Sequence, residues 1–527
     1  MNYFSPFSLS ADETVLAAWD SQVAQASEDP FLAEALAQAG SEMLPRFAAR
    51  YAQLRALPRG ARRTLQRQLA RSRELATISP EWQPKLARTL AGTALLLALA
   101  HGVSQAATIT VNTNIPKINP DGLCSLIEAI VNANDDAATH ADCAAGSGAD
   151  VIDLAPASIH TVTNKFVQYH GATGLPTITS QITIDGNGGK IVAKRGASFR
   201  LLAVESSGDL TLSNVTVSGG SQNHGGAIFS YGTLTINDST ITASKANLGG
   251  GVFNGAAAVL NIDGSTISKN TAAYGGGLYD YSGAVTIANS TITGNKAFID
   301  GGGIYERSGT LTVTYSTISK NTSIRDGAGL HGRDSYATIG YSTISGNTAG
   351  FFGYGGGVYD RSSTTTIENS TISGNKARAG AGIFTRATLT VSNSTIAKNT
   401  ADDGGGILNL RDLTLKRTLI SGNSAFIGRE IDDFDTVTRN NYNLFGNNGY
   451  DGVIGFSPGG TDIVPGVGLA GIIGPLANNG GPTQTHALVT GSPAIDAAPA
   501  DADCPAADQR GTARPQGASC DIGSFEK

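Results

Sequence analysis

Charge is scarce in this chain: Asp, Glu, Lys and Arg make up 15% of its 527 residues, and aromatics 6%. Proline is absent between Pro176 and Pro458, so every backbone N–H in that span can serve a hydrogen-bonded ladder. The four cysteines fall as Cys124 with Cys143 and Cys504 with Cys520, with no His inside either pair at zinc-ligand spacing. Metal ligation is therefore the weaker reading and two local disulfides, formed in an oxidising compartment, the natural one. There is no nucleophile triad and no phosphate loop, and His224, His331 and His486 are scattered. The low charge and net acidity exclude a nucleic-acid partner.

What is abundant is glycine, 67 residues of it, and it is periodic. From Gly225 to Asn423 one pattern returns: a Gly-rich tripeptide with an apolar pair, a Leu-Thr-Ile-like run, then Ser-Thr-Ile, a linker and Asn. The isoleucines of the third segment stand at 241, 267, 292, 318, 344, 372, 396 and 420, so a unit is 24 to 28 residues long. The segments are short, β-branched and alternate apolar with Thr or Ser, which makes them strands. Three strands and three turns per unit in constant register describe one rung of a parallel β-helix, an all-β solenoid. About thirteen rungs between residues 108 and 450 at roughly 4.8 Å each give a rod on the order of 60 Å long.

Alternation points Leu234 and Ile236, or Leu389 and Val391, into the coil and the intervening Thr to water. Three residues after each column isoleucine come Asn270, Asn295, Asn321, Asn347, Asn375, Asn399 and Asn423. Stacked side-chain amides can hydrogen-bond from rung to rung, so these are read as structural. The first rung has Ser244 in this place.

The chain divides by composition. Residues 1–84 carry Ala/Leu-rich helical patterns and, from Arg46 to Arg73, nine Arg with no acid. They read as a basic helical extension, with a face toward anionic lipid or secretion machinery, or simply a solvated helix surface. Residues 85–106 have Lys85 and Arg88 before an apolar run, Leu90 to Ala100, then Ser104-Gln105-Ala106. This is a signal-like segment, too short to span a bilayer permanently, with cleavage expected after Ala106. Its removal leaves 26 basic against 34 acidic side chains, a net charge of −8. Residues 107–224 form an N-terminal cap and irregular first rungs, with a short helix expected around Ser125 to Ile130 covering the exposed strand edges. Residues 225–445 are the regular repeats. Residues 446–527, with 16 Gly and 8 Pro, are expected to wrap as stapled loops over the last rung.

Cys124-Ser125-Leu126-Ile127-Glu128-Ala129-Ile130 resembles the CSLREAI motif at the N-terminal end of bacterial surface β-helix proteins, with Ile127 where Arg is usual. The tail, with Gly480-Gly481-Pro482-Thr483-Gln484-Thr485-His486, Gly491-Ser492-Pro493-Ala494-Ile495-Asp496 and Asp508-Gln509-Arg510-Gly511 through Asp521-Ile522-Gly523, is similar to the choice-of-anchor domain (Q type) that closes such proteins. The repeat more loosely resembles polymorphic outer-membrane proteins. These likenesses imply an exported, secreted or cell-surface protein with a right-handed, pectin-lyase-like fold; the right-handed preference of parallel crossovers agrees. No sorting motif follows Gly523, so free secretion or a non-covalent hold is expected.

Two kinds of site are candidates. Asp300, Asp326 and Asp403 directly precede Gly turns, and the first two could lie about 5 Å apart, near the separation used by retaining glycosidases. Asp before Gly is also ordinary turn chemistry. A lyase would in addition need calcium; no other cofactor is expected. The second candidate is a column just after each Gly turn, Tyr279, Tyr305, His331, Tyr359 and Phe384, with Arg307, Arg333, Arg361 and Arg386 two residues beyond all but the first. Between the rings and the positions two beyond lie Asp280, Glu306 and Asp360. Pointing outward beside these charged groups, the rings would offer faces for stacking and the Arg forks would take carboxylates, a face for an extracellular polysaccharide or a surface protein. Alternatively the rings stack inside the coil or decorate a solvated face. The expected function is binding or adhesion, with a polysaccharide lyase or glycoside hydrolase, or a structural envelope component, as the alternatives. Nothing in the sequence indicates an oligomeric state.

Overall fold

The computed structural model describes residues 106–435 and 437–527. The basic extension 1–84 and all but the last residue of the signal-like segment lie outside the described residues.

Three long parallel sheets run side by side. The first has thirteen strands, from Thr108–Val111 to Val437–Asn441; the second has twelve, from Ile159–Val162 to Leu444–Phe445; the third has eleven, from Leu202–Val204 to Val453–Ile454. A fourth sheet of four short strands (Thr271–Tyr274, Lys296–Asp300, Thr322–Ser323, Thr348–Ala349) lies between the second and third in the winding order. The fold is an all-β, right-handed parallel β-helix, as the repeat and the resemblance implied.

Register is set by the inward column. Leu234, Leu260, Val285 and Leu311 pair in succession along the first sheet, and each is buried. A one-residue slip would turn that whole column to water, so the hydrophobic pattern alone fixes the winding. The Asn ladder forms: Asn270 N and Nδ2 donate to Asn295 Oδ1 at 3.0 and 3.1 Å, and its Nδ2 also reaches Ile241 O at 3.0 Å. The pattern repeats to Asn423, where the buried Glu430 carboxylate ends it by accepting from Asn423 Nδ2 at 2.5 Å and Gly422 N at 2.9 Å. A second ladder is built from the Ser of Ser-Thr-Ile. Ser265 N donates to Ser290 Oγ at 3.0 Å and Ser290 N to Ser316 Oγ at 3.0 Å, with each hydroxyl donating to the carbonyl two residues before it.

The N-terminal end is closed by the helix Leu126–Asp135. Ser125 caps it, its hydroxyl accepting from Glu128 N while the Glu128 carboxylate accepts from Ser125 N. The Cys124–Cys143 and Cys504–Cys520 disulfides are both formed.

The tail departs from expectation. Its first part does close the end, Glu430 N donating to Gly452 O and Phe445 N to Ile463 O. The rest runs back along the outer face of the second sheet. Gln509 Nε2 donates to Ser342 O and Thr343 Oγ1 while its Oε1 accepts from Thr371 Oγ1, and Ser524 N donates to Thr395 Oγ1. Ile472, Leu488, Ala494, Ile522 and Phe525 pack there with Ala397, Leu419 and Leu444 as a separate apolar core. The physical reason is that the last rungs keep apolar or uncharged residues on that face, so covering it buries more than capping one rung could.

Candidate functional site

The third sheet carries the candidate column. In the strand Ile304–Arg307 alternation sends Ile304 and Glu306 into the coil and Tyr305 and Arg307 out of it. Neighbouring rungs pair in register, so Phe253, Tyr279, Tyr305, His331, Tyr359 and Phe384 form one column. Their centroids are 5.6, 5.0, 4.5, 4.7 and 5.3 Å apart in that order, and all but the tilted His331–Tyr359 pair are stacked.

The rings thus leave the lumen, as one reading required, but they are not open. Tyr279, Tyr305, His331 and Tyr359 are each only 4% exposed. Each ring face is covered by the next rung, and the Gly turns close the sides. At Gly301 (φ +69°) an added Cβ would come 2.7 Å from Tyr305 Cβ, so the tripeptide's glycine is needed both for its left-handed backbone and for that approach. His224 stacks on Phe253, Tyr274 meets Tyr305 edge-on and Tyr354 lies on Phe384. The expected stripe of free ring faces for sugar stacking is therefore corrected to a buried ladder that acts as a small second core. His331 sits within it with neither ring nitrogen hydrogen-bonded. Burial, reinforced by Arg333, pushes its pKa down to about 3, so it is neutral.

What reaches solvent is the Arg column. Arg307, Arg333 and Arg361 occupy paired positions on successive rungs. Arg307 and Arg333 are half-exposed, Arg361 and Arg386 exposed. The Tyr279 and Tyr305 side chains beside Arg307 and Arg333 hold both guanidinium groups more firmly charged. Arg386 lies over Phe384 at 5.4 Å and Arg307 over Tyr281 at 5.3 Å. Among the described residues Arg333 pairs with Asp334 at 3.5 Å, while Arg307, Arg361 and Arg386 have no acid within ion-pair distance.

The carboxylate candidates are engaged elsewhere. Asp300 Oδ1 accepts from Asp326 N at 3.1 Å, and Asp326 Oδ1 accepts from Tyr354 N at 3.0 Å. Each acid thus anchors the turn of the following rung, and Asp300 also meets Arg325 at 3.7 Å. Burial raises both carboxyl pKa values. Asp403 does not join them: its backbone bridges Ala379 and Ile427, and it lies beside Asp432.

Asp280, Glu306 and Asp360, read from sequence as charged neighbours of the rings, instead face the lumen and are fully buried. Asp280 accepts from Asn254 Nδ2 at 2.5 Å and Gly283 N at 3.0 Å. A Cβ at Gly309 would strike Asp280 Oδ2 and Glu306 Oε1 at once, so the two carboxyls converge on one small space. Counted as an acceptor only, Glu306 has no donor for either oxygen. A proton held between Glu306 and Asp280 supplies one, and burial, followed by the Asp280 charge, drives the Glu306 pKa well above neutrality. Burial likewise raises Asp360, to about 6. The same alternation that placed the rings outside would have placed these acids inside.

The family model described as "Right handed beta helix region" matches residues 200–352 and again 326–459. No curated protein matches the chain. Among solved structures, one titled "Crystal structure of pectate lyase Pel9A" aligns over 81% of this chain and 98% of its own, at 15% identity and a TM-score of 0.40. Two disulfides are present, and among the described residues no helix is long and apolar enough to cross a membrane. By its sheets, its register and the family model, the chain has the right-handed β-helix fold.

Proposed function

We propose that this is an exported binding protein, secreted or held at the cell surface, whose third-sheet flank takes an extended anionic polymer, foremost an acidic polysaccharide. One observation carries the reading: a rung-spaced column of guanidinium groups, three of them without an acidic partner, stands on a rigid ladder of rings. Like charges roughly 5 Å apart repel by about 0.8 kcal/mol per pair even at the dielectric constant of water. A ligand bearing carboxylates or sulfates at regular intervals relieves that repulsion and is held by bidentate bonds. An acidic stretch of a surface protein would meet the same chemistry. The disulfides suit an oxidising compartment, and the tail resembling an anchor domain suits a surface role.

The lyase or hydrolase alternative has less support, because Asp300 and Asp326 already accept backbone hydrogen bonds and lie buried. The test is retention of the protein on immobilised polygalacturonate and on a neutral glucan, across a salt series, with product analysis by size and ultraviolet absorbance with and without calcium. Salt-sensitive retention on the acidic polymer alone, lost in an Arg307→Gln, Arg333→Gln, Arg361→Gln variant and without shortened product, is the expected result. Unsaturated or shorter fragments would make the protein an enzyme. Retention on neither polymer would leave a structural role.

A further inference from the structure

A second surface feature lies beside the Arg column, at the corner between the Asn ladder and the Gly turn. Most rungs make this corner in five residues, as from Asn270 to Gly275 and from Asn375 to Gly380, and the two preceding rungs make it in six, from Asn295 to Gly301 and from Asn321 to Gly327. The rung from Asn347 to Gly355 takes eight, which accounts for its 28-residue spacing. The longer corner carries Phe351 and Phe352 at the tip of a turn in which Gly353 N donates to Gly350 O at 2.8 Å. They are 84% and 70% exposed. Gly353 is packed so close to the Arg325 carbonyl that no Cβ would fit, so the tip is seated on the rung beneath it. On the two preceding rungs the residues one step past the paired Ala297 and Ser323 are Phe298 and Ile324, both more than half exposed. Four large apolar side chains therefore follow one another along the rod.

The rim of this patch is cationic. Lys296 lies over the Phe298 ring at 5.2 Å, the Arg325 side chain is 61% exposed, and Arg378 is exposed one rung beyond Phe352. On the rungs of Phe298 and Ile324 the acids at the Gly turns, Asp300 and Asp326, are buried, and the exposed Asp402 lies one rung beyond Arg378. Apolar tips with a basic rim match the boundary between lipid headgroups and acyl chains, where phenyl groups insert and Arg and Lys meet phosphate. A second copy of the chain fits poorly, because face-to-face pairing would bring two basic rims together. We propose that the Phe298–Phe352 corner docks the rod, side-on, on an anionic lipid surface. This proposal stands on different residues from the polymer-binding reading and survives or fails apart from it.

The test is co-sedimentation of the full chain with vesicles of phosphatidylcholine alone and of phosphatidylcholine mixed with phosphatidylglycerol. Binding to the anionic vesicles should fall roughly tenfold or more in a Phe351→Ser, Phe352→Ser variant, given the apolar area withdrawn. An Arg325→Gln, Arg378→Gln variant should lose much of the preference for phosphatidylglycerol, and retention on polygalacturonate should be unchanged in the Phe variant. The proposal is overturned if the wild-type protein ignores both vesicles, if the Phe variant sediments as the wild type does, or if both vesicles bind equally. It is also overturned if the Phe substitutions instead abolish self-association in sedimentation velocity, since a second copy would then be the occupant.

Discussion

Glu306→Gln should make the protein more stable at alkaline pH. Glu306 and Asp280 face the lumen on adjacent rungs, and burial makes two charges there untenable, so the folded pair keeps one proton. In the unfolded chain both carboxyls ionise near a pKa of about 4. The folded pKa is thus the raised one: the pair's contribution is fully present below the unfolded pKa and is lost progressively as pH rises toward the folded value. With one more proton bound in the native state, stability falls by about 1.4 kcal/mol per pH unit, or roughly 4 kcal/mol from pH 5 to pH 8. Glutamine keeps a donor toward Asp280 and does not titrate. Guanidinium unfolding followed by far-ultraviolet circular dichroism, at constant ionic strength at each pH, should show the wild type losing about 4 kcal/mol more than the variant over that interval. Other buried acids with raised pKa values, Asp360 and Glu430 among them, contribute equally to both proteins and cancel in the difference. Parallel pH curves for the two proteins would refute the shared proton.

Tyr305→Ser with Tyr359→Ser should destabilise the rod by at least about 5 kcal/mol, because each ring lost leaves a cavity in the outer ladder. Denaturation with an unchanged midpoint but lost polymer retention would instead restore the rings as a contact surface. Asn347→Ala removes the acceptor for Asn321 N and Nδ2 and the donor to Ile318 O and Asn375 Oδ1, and should cost about 3 kcal/mol or more, read in the same unfolding experiment. Gln509→Ala removes the bonds to Ser342, Thr343 and Thr371 at the second sheet, and limited proteolysis should then cut the tail before the rungs; equal resistance in both proteins would sink the idea that this residue clamps it.

How much was legible follows from what repeats. The inward columns through Leu234 and Ile236, the Asn ladder and the disulfides were readable because each recurs or pairs by a rule that a single rung already obeys. Ring burial was not, because outward direction follows from alternation whereas cover depends on how His224, Tyr274 and Tyr354 fold over the column. Asp280 and Glu306 were misplaced because their charge suggested water, although their distance of two residues from Leu278 and Ile304 placed them inside. A solenoid's hydrogen-bonded register overrides the preference of one side chain. The tail has no period to read, so its course along Thr343, Thr371 and Thr395 depends on contacts more than a hundred residues apart. Glu430 ends the Asn ladder from seven residues beyond Asn423, outside the ladder's own spacing.

The disposition of acids explains how a chain with net charge −6 presents a basic flank. Along the third sheet and its turns, Asp280, Glu306 and Asp360 point into the lumen, while Asp300 and Asp326 are drawn under the Gly turns to accept backbone N–H groups. Burial raises the pKa of each of them, which lowers the negative charge they project. The cations of the same rungs go the other way: Arg307, Arg333 and Arg361 fall two residues after the rings and so must leave the coil. One alternation therefore sorts the charges by sign over these rungs, until Asp432 takes the outward position opposite Leu408 near the end of the sheet. Exposed acids elsewhere on the rod set its net charge, whereas the local sign on this flank is set by register. A ligand meeting the flank at close range encounters guanidinium groups with few counter-ions, within a Debye length of about 8 Å at physiological salt. Strand register and the sign of the charge that this flank presents are thus one property of the fold, and a change that shifted the first would invert the second.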